Sequence, residues 1–347
     1  MLPAAYPAKP LPGDRVAVLS PSAGLPGILP LPYELGIRRL RKDFGLVTVE
    51  YPTTRTMGAS AAERAADIHA AFADPQIAAV IASIGGYDQI TVLPHLDAEL
   101  LRAHPKPFFG HSDNTCLLAY LAGLGIVGYH GGSVMVEFGR PQSMHPMTAD
   151  SLQAALFSSG DYELRPVRQY CDEDRDWADP TTFEAAPAMR SCGAWIWHNA
   201  DQVVHGPGWG GCLEVVAELL MADRCIGPAG AYEGGVLFLE TSQEMPSADE
   251  VYRVLRCMGE RGLLRQFPAV LLGRAKACSL AHPTSPHQRD TYQCRQREAV
   301  LRALREYAPG AMAVFDVDFG HTDPQIVLPY GGLIRVDGQA RRITVRY

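Results

Sequence analysis

Short, wholly apolar runs alternate along the first half of the chain with longer segments of helical spacing. Residues 15–20 read as a buried strand, followed by a loop at Pro21-Ser22-Ala23-Gly24. A helical pattern over 33–44 leads to a strand over 46–50, and an Ala-rich helix over 60–73 carries Glu63 near its start. Residues 77–84 form a third apolar run, broken by Gly85-Gly86-Tyr87. A strand end at Pro107-Phe108-Phe109 precedes a helix over 115–122, which stops at Gly123. A further strand and loop over 127–132 and a helix over 148–157 close this half. Alternating units of this kind predict an α/β fold: an N-terminal, mostly parallel sheet flanked by helices. Ligands in such sheets bind at the carboxyl ends of the strands.

The periodicity weakens between Ser158 and His205, where a charged stretch precedes the pair Trp195 and Trp197. It resumes with a glycine run, Gly206-Pro-Gly-Trp-Gly-Gly211, read as a loop that opens a helix over 212–221. Strands are expected over 235–240, 269–273 and 313–319, with helices over 249–259 and 289–307. A closing hairpin turns at Asp337-Gly338. The organisation predicted is an N-terminal domain over 1–157, linker and specificity loops over 158–205, and a smaller C-terminal α/β or β-rich domain over 206–347.

The length of 347 residues suits two cores, and 47% hydrophobic with 20% charged residues is an ordinary globular composition. A formal net charge of −7 argues against nucleic acid or an anionic membrane as partner. No apolar run reaches membrane-spanning length, and the first ten residues lack the pattern of a signal peptide. Eight cysteines are scattered without metal-binding spacing, so reduced thiols, a cytoplasmic setting and no metal are expected. The glycine run lacks the Gly-Lys-Ser/Thr ending of a phosphate loop, and the Gly85-Gly86 turn lacks dinucleotide-binding spacing.

Chemistry concentrates in Gly110-His111-Ser112-Asp113, which leaves room only for a tight turn from strand to helix. A serine there meets free N–H groups and the positive end of a helix, where an oxyanion is stabilised. The pattern departs from G-x-S-x-G because Asn114 fills the last position, and a plain helix cap at Ser112 or Asp113 is the competing reading. Glu240 and His321 also stand at the ends of apolar strands. Together the three supply a nucleophile, an orienting carboxylate and a base. His111 and His205 are rival histidines, and Trp195 and Trp197 are candidates to stack on a planar ligand.

The stretches 11–21, 84–87, 107–115, 210–213, 236–240 and 318–324 resemble, in order, the serine peptidase family of LD-carboxypeptidases and microcin C immunity proteins. The resemblance implies a Ser-Glu-His triad at Ser112, Glu240 and His321. Its oxyanion donors fall at Gly86 and Asp113, with Gly85 in the same turn. It also implies homodimers and no cofactor. Two activities are open within it: hydrolysis of aminoacyl-nucleotide amides, with Trp195 or Trp197 stacking on the base, and removal of terminal D-alanine from a murein tetrapeptide. The extended loop after Tyr162 favours the first. A non-catalytic α/β ligand-binding protein is the reading from another class.

Overall fold

The computed structural model describes residues 5–347. In chain order, the first sheet is built from β1 (Arg15–Leu19), β2 (Val47–Glu50), β3 (Ile77–Ala82), β4 (Phe108–Gly110) and β5 (Gly128–His130). Helices α1 (Pro30–Lys42), α2 (Ala61–Ala73), α3 (Ala98–Ala103) and α4 (Thr115–Gly123) connect them, and α5 (Pro146–Phe157) follows β5. The five strands are parallel in the order β2-β1-β3-β4-β5. That order reverses direction between β1 and β3, so a crevice opens at their carboxyl ends. β1, β3 and β4 are buried almost end to end, as expected of parallel strands covered on both faces.

The remaining strands are β6 (Asp161–Leu164), β7 (Gln169–Tyr170), β8 (Arg190–Ser191), β9 (Ile196–His198), β10 (Val203–Cys212), β11 (Val236–Glu240), β12 (Ala269–Gly273), β13 (Met312–Val317), β14 (Leu328–Tyr330), β15 (Leu333–Asp337) and β16 (Arg342–Arg346). Eight of them form a second sheet in the order β6-β16-β15-β10-β11-β12-β13-β9. Its centre, β10 to β13, is parallel, and antiparallel strands flank it on both sides. Helices α6 (Leu213–Ala222), α7 (Ala248–Glu260) and α8 (Pro286–Tyr307) belong to this half. Capping boxes at Ser60/Glu63, Ser247/Glu250 and Ser285/Gln288 start α2, α7 and α8 by satisfying N–H groups that the helix leaves free.

Three features depart from the pattern in the sequence. The glycine run 206–211 is not a loop but the inner part of β10, the longest strand. The segment 158–205 contributes β6 and β9 to the two edges of the second sheet. β14, far along the chain, returns to the first sheet and pairs antiparallel with β5. Among the described residues no helix is long and apolar enough to cross a membrane.

Candidate active site

The candidate nucleophile lies where β4 turns into α4. Ser112 has φ +62°, a left-handed conformation that a non-glycine residue holds only under local constraint. Asn114 supplies that constraint: its amide donates to the carbonyls of His111 (3.0 Å) and Ile84 (3.1 Å) and accepts from Gln89 (2.9 Å). It thereby ties the serine turn to the Gly85-Gly86 turn. The Asp113 carboxylate accepts from Ser22 Oγ and from the Gln89 N–H at 3.0 Å, which adds the loop after β1. Buried Arg64 donates to the Ser22 carbonyl at 2.9 Å and pairs with Asp88, closing the same knot. Gly85 lies directly over the serine: a methyl group there would fall 2.8 Å from Ser112 Cβ and 3.0 Å from its Oγ. Bare backbone therefore faces the hydroxyl, as close approach of a carbonyl group requires.

Glu240 ends β11, in register with Cys212 at the end of β10. The Cys212 N–H donates to Thr115 Oγ1 at 3.1 Å, which docks the strand ends of the second sheet on the first turn of α4. His321 follows β13, and its Nδ1 lies 2.6 Å from Glu240 Oε2. The carboxylate accepts, so Nδ1 carries the proton and Nε2 keeps its lone pair. Burial disfavours the Glu240 anion, but the charge and hydrogen bond of the His321 ring, then His130, outweigh it and hold the carboxyl below its ordinary value. Burial likewise opposes the His321 cation, yet Glu240 and then Glu214 raise its pKa above the usual histidine value, against a small opposing effect of Lys276.

Gly320 makes this pair possible. At φ +95° its α-carbon faces Glu240, and a methyl group would fall 2.5 Å from Oε2. Gly320→Ala is therefore expected to cost about 1–3 kcal/mol of stability and to lower kcat about tenfold or more by displacing the carboxylate. A denaturant titration and a turnover assay on the one variant check both.

The structure thus joins Glu240 to His321 and brings the residue that precedes Ser112 close to that pair. That residue is His111, whose ring lies 5.3 Å from that of His321, centroid to centroid. Ser112 Oγ has no hydrogen-bond partner among the described residues. His111 itself is buried, near Ser133 Oγ (3.1 Å) and Glu137 (3.6 Å), and burial pushes its pKa well below the ordinary value. His205 lies exposed on β10, away from these groups.

The loop between β6 and β9 is fastened to the His321 segment, to the loop after β12 and to α8. Cys171 and Asp323 exchange backbone hydrogen bonds, Lys276 pairs with Asp174 at 2.7 Å, and Arg289 with Asp172 and Glu173. Trp195 is a correction to the sequence reading. It is 6% exposed, and its indole N–H donates to Asp318 at 2.8 Å, so it has no free face for a ligand. Trp197 is half-buried in β9, paired with Val314. Gln89, Ser22, His130 and Glu137 were not singled out from sequence, and Asn114 was noted only as a departure from the motif. Ser22 carried a signal, as a polar residue just beyond a buried strand end.

Among the described residues no group of three or more His, Cys, Asp or Glu side chains is arranged to hold a metal ion. Residues 16–131 match the family model described as the LD-carboxypeptidase N-terminal domain, and residues 205–336 its C-terminal domain. The "Putative carboxypeptidase" of Treponema pallidum is 30% identical over 297 residues, 83% of this chain and 78% of that protein. The microcin C7 self-immunity protein MccF of Escherichia coli is 24% identical over 96% of this chain and 93% of its own. Among solved structures, an MccF-like protein from Bacillus anthracis superposes with a TM-score of 0.83 at 22% identity, covering 99% of both chains. MccF in complex with aspartyl sulfamoyl adenosine gives 0.85 at 21% identity, over 99% of this chain and 98% of that one. Two matched domain models and a relative at this identity place the chain in the LD-carboxypeptidase family of peptidases.

Proposed function

We propose that the chain is a serine-type amide hydrolase acting through Ser112, His321 and Glu240. The observation that supports this reading is the buried Glu240–His321 pair at 2.6 Å, together with a serine held at positive φ on a strand-to-helix turn whose His111 ring lies 5.3 Å from that of His321. His321 Nε2 takes the Ser112 proton as the hydroxyl attacks the scissile carbonyl. The oxyanion develops against the N–H groups of Gly86 and Asp113, with Gly85 leaving room above the serine. His321 then protonates the departing amine, and water attacks the acyl-serine by the reverse proton route. Glu240 stays ionised throughout and stabilises the imidazolium.

For the substrate we favour an aminoacyl-nucleotide amide. MccF aligns over nearly the full length of both chains, and solved relatives hold AMP or aminoacyl sulfamoyl nucleosides. With Trp195 withdrawn into the core, nucleobase stacking falls to half-buried Trp197 or to Trp177, half-buried in the loop over 171–190. A second reading, release of terminal D-alanine from a murein tetrapeptide, draws on the carboxypeptidase names of the relatives. Incubation with an aminoacyl-sulfamoyl adenosine and with an L,D-linked tetrapeptide, read by mass spectrometry, decides between them. Cleavage of neither would remove the hydrolase reading.

The pH dependence follows from the base. His321 must be neutral to accept a proton, and its pKa is raised. The acid limb of kcat/KM is therefore expected above the ordinary histidine value of about 6.5, with activity rising as pH increases through it. A limb at or below that value would remove His321 from the role.

A further inference from the structure

Behind the Glu240–His321 pair lies a second histidine that the proposed mechanism does not use. His130 ends β5 and is 1% exposed. Its ring packs against Phe238 at 5.6 Å and Phe319 at 6.0 Å, centroid to centroid. Neither ring nitrogen has a hydrogen-bond partner among the described residues. The same is true of Glu240 Oε1, the carboxylate oxygen that His321 leaves free. These two orphans face each other: His130 Nε2 lies 3.9 Å from Glu240 Oε1. Leaving a buried carboxylate oxygen and a buried imidazole both unsatisfied is costly, and one small movement relieves both. An approach of about 1 Å brings the pair to hydrogen-bonding distance.

We propose that His130 is a positioning residue whose Nε2–H donates to Glu240 Oε1, so that the carboxylate is held from both sides, by His321 on Oε2 and by His130 on Oε1. The inference rests on the triad reading and adds to it a fourth residue, supplied by β5 of the opposite sheet. Burial pushes the His130 pKa down to about 4, so the ring is neutral near pH 7 and has one proton to place. Placed on Nε2, that proton disperses charge from Glu240 without adding a cation beside His321. The surrounding groups are compatible with this. His111 lies 6.1 Å from His130, centroid to centroid, and burial keeps it neutral as well. Glu137, on the helical turn Val134–Phe138, accepts from the N–H groups of Gly132 (2.7 Å) and Ser133 (2.9 Å), and burial pushes it up to about 7. Glu214 and Lys276 act on His321 with opposite signs, and neither is bonded to Glu240.

The sign of the effect is fixed. A donor on Oε1 draws negative charge away from Oε2, so its removal strengthens the hold on the His321 proton and raises the His321 pKa. The test compares wild type, His130→Leu and His130→Gln, the last keeping an amide donor near the position of Nε2. In ¹⁵N-histidine NMR the His321 pKa is expected to rise by about half a unit or more in His130→Leu and to stay near wild type in His130→Gln. With a cleavable substrate, kcat should fall about 10–100-fold in His130→Leu with KM little changed. The acid limb should move to higher pH, and His130→Gln should restore most of the rate. A purely structural role predicts the reverse ranking, because leucine suits a ring site between two phenylalanines better than glutamine does. Unchanged His321 titration and kcat in folded His130→Leu would overturn the proposal. Should that variant not fold, the wild-type spectrum decides alone: an Nε2–H tautomer of His130 supports the proposal, and an Nδ1–H tautomer overturns it. Failure of the wild type to cleave either substrate counts against the hydrolase reading only, because the NMR readouts need no turnover.

Discussion

Ser112→Ala is expected to leave the fold intact and to lower kcat by about 10⁴-fold or more. The structural half of this expectation follows from what the hydroxyl touches. Ser112 Oγ supports no hydrogen bond among the described residues, whereas the turn around it is held by Asn114, Gln89, Ser22 and Arg64. Alanine can keep the backbone path, because the strain at φ +62° is carried by those neighbours rather than by the serine side chain. The chemical half follows from how the neighbouring nucleophiles are held: Ser22 Oγ donates to the Asp113 carboxylate. Thr115 Oγ1 is engaged by the Cys212 N–H, and the Cys212 thiol is fully buried, with its pKa raised far beyond the range of a reactive thiolate. A circular-dichroism melt with a single-turnover assay checks both halves. Turnover near the wild-type rate with an unchanged melt would sink the triad.

Glu240→Gln is expected to have the next largest effect, a loss of about 10³–10⁴ in kcat with KM little altered. The amide retains the volume that Gly320 and Gly273 leave for it, so the side chain stays in its slot. What disappears is the negative charge that raises the His321 pKa and stabilises the imidazolium. The His321 pKa should consequently fall, which moves the acid limb to lower pH while the maximal rate collapses. A variant with the acid limb unmoved would show that Glu240 does not act through His321. This shift is opposite in sign to the one expected for His130→Leu, and a single pH series on the two variants separates charge removal from donor removal.

The fold was legible wherever an element carried its own signal. Buried parallel strands announce themselves as unbroken apolar runs, and the three polar residues that end or follow such runs, Ser112, Glu240 and His321, stood out against them. The Ser60, Ser247 and Ser285 caps mark helix starts by local chemistry alone. The misreadings share a physical cause, which is that the decisive contact comes from elsewhere in the chain. Gly206–Gly211 resembles a loop by propensity but is a strand because its neighbours need bare backbone: a methyl on Gly210 would fall 1.8 Å from the Phe238 carbonyl oxygen. β14 is three residues long and contains Pro329, so it forms only because β5 offers it an edge. Asn114 counted against a nucleophile turn by motif, yet its side chain is what closes that turn. Trp195 read as a ligand platform until Asp318, more than a hundred residues later, claimed its indole.

The return of β14 to the first sheet has a consequence for how the protein is made. During synthesis the N-terminal half leaves the ribosome with β5 as an open edge, and nothing in the next 197 positions after His130 fills it until Leu328 arrives. An unpaired edge of this kind invites pairing with other chains, so the unfinished protein is a natural client for chaperones. The same late segment carries His321, seven residues before Leu328. Closure of the sheet and arrival of the histidine therefore belong to one step. Until then the serine turn can form, but on the proposed mechanism it lacks its base.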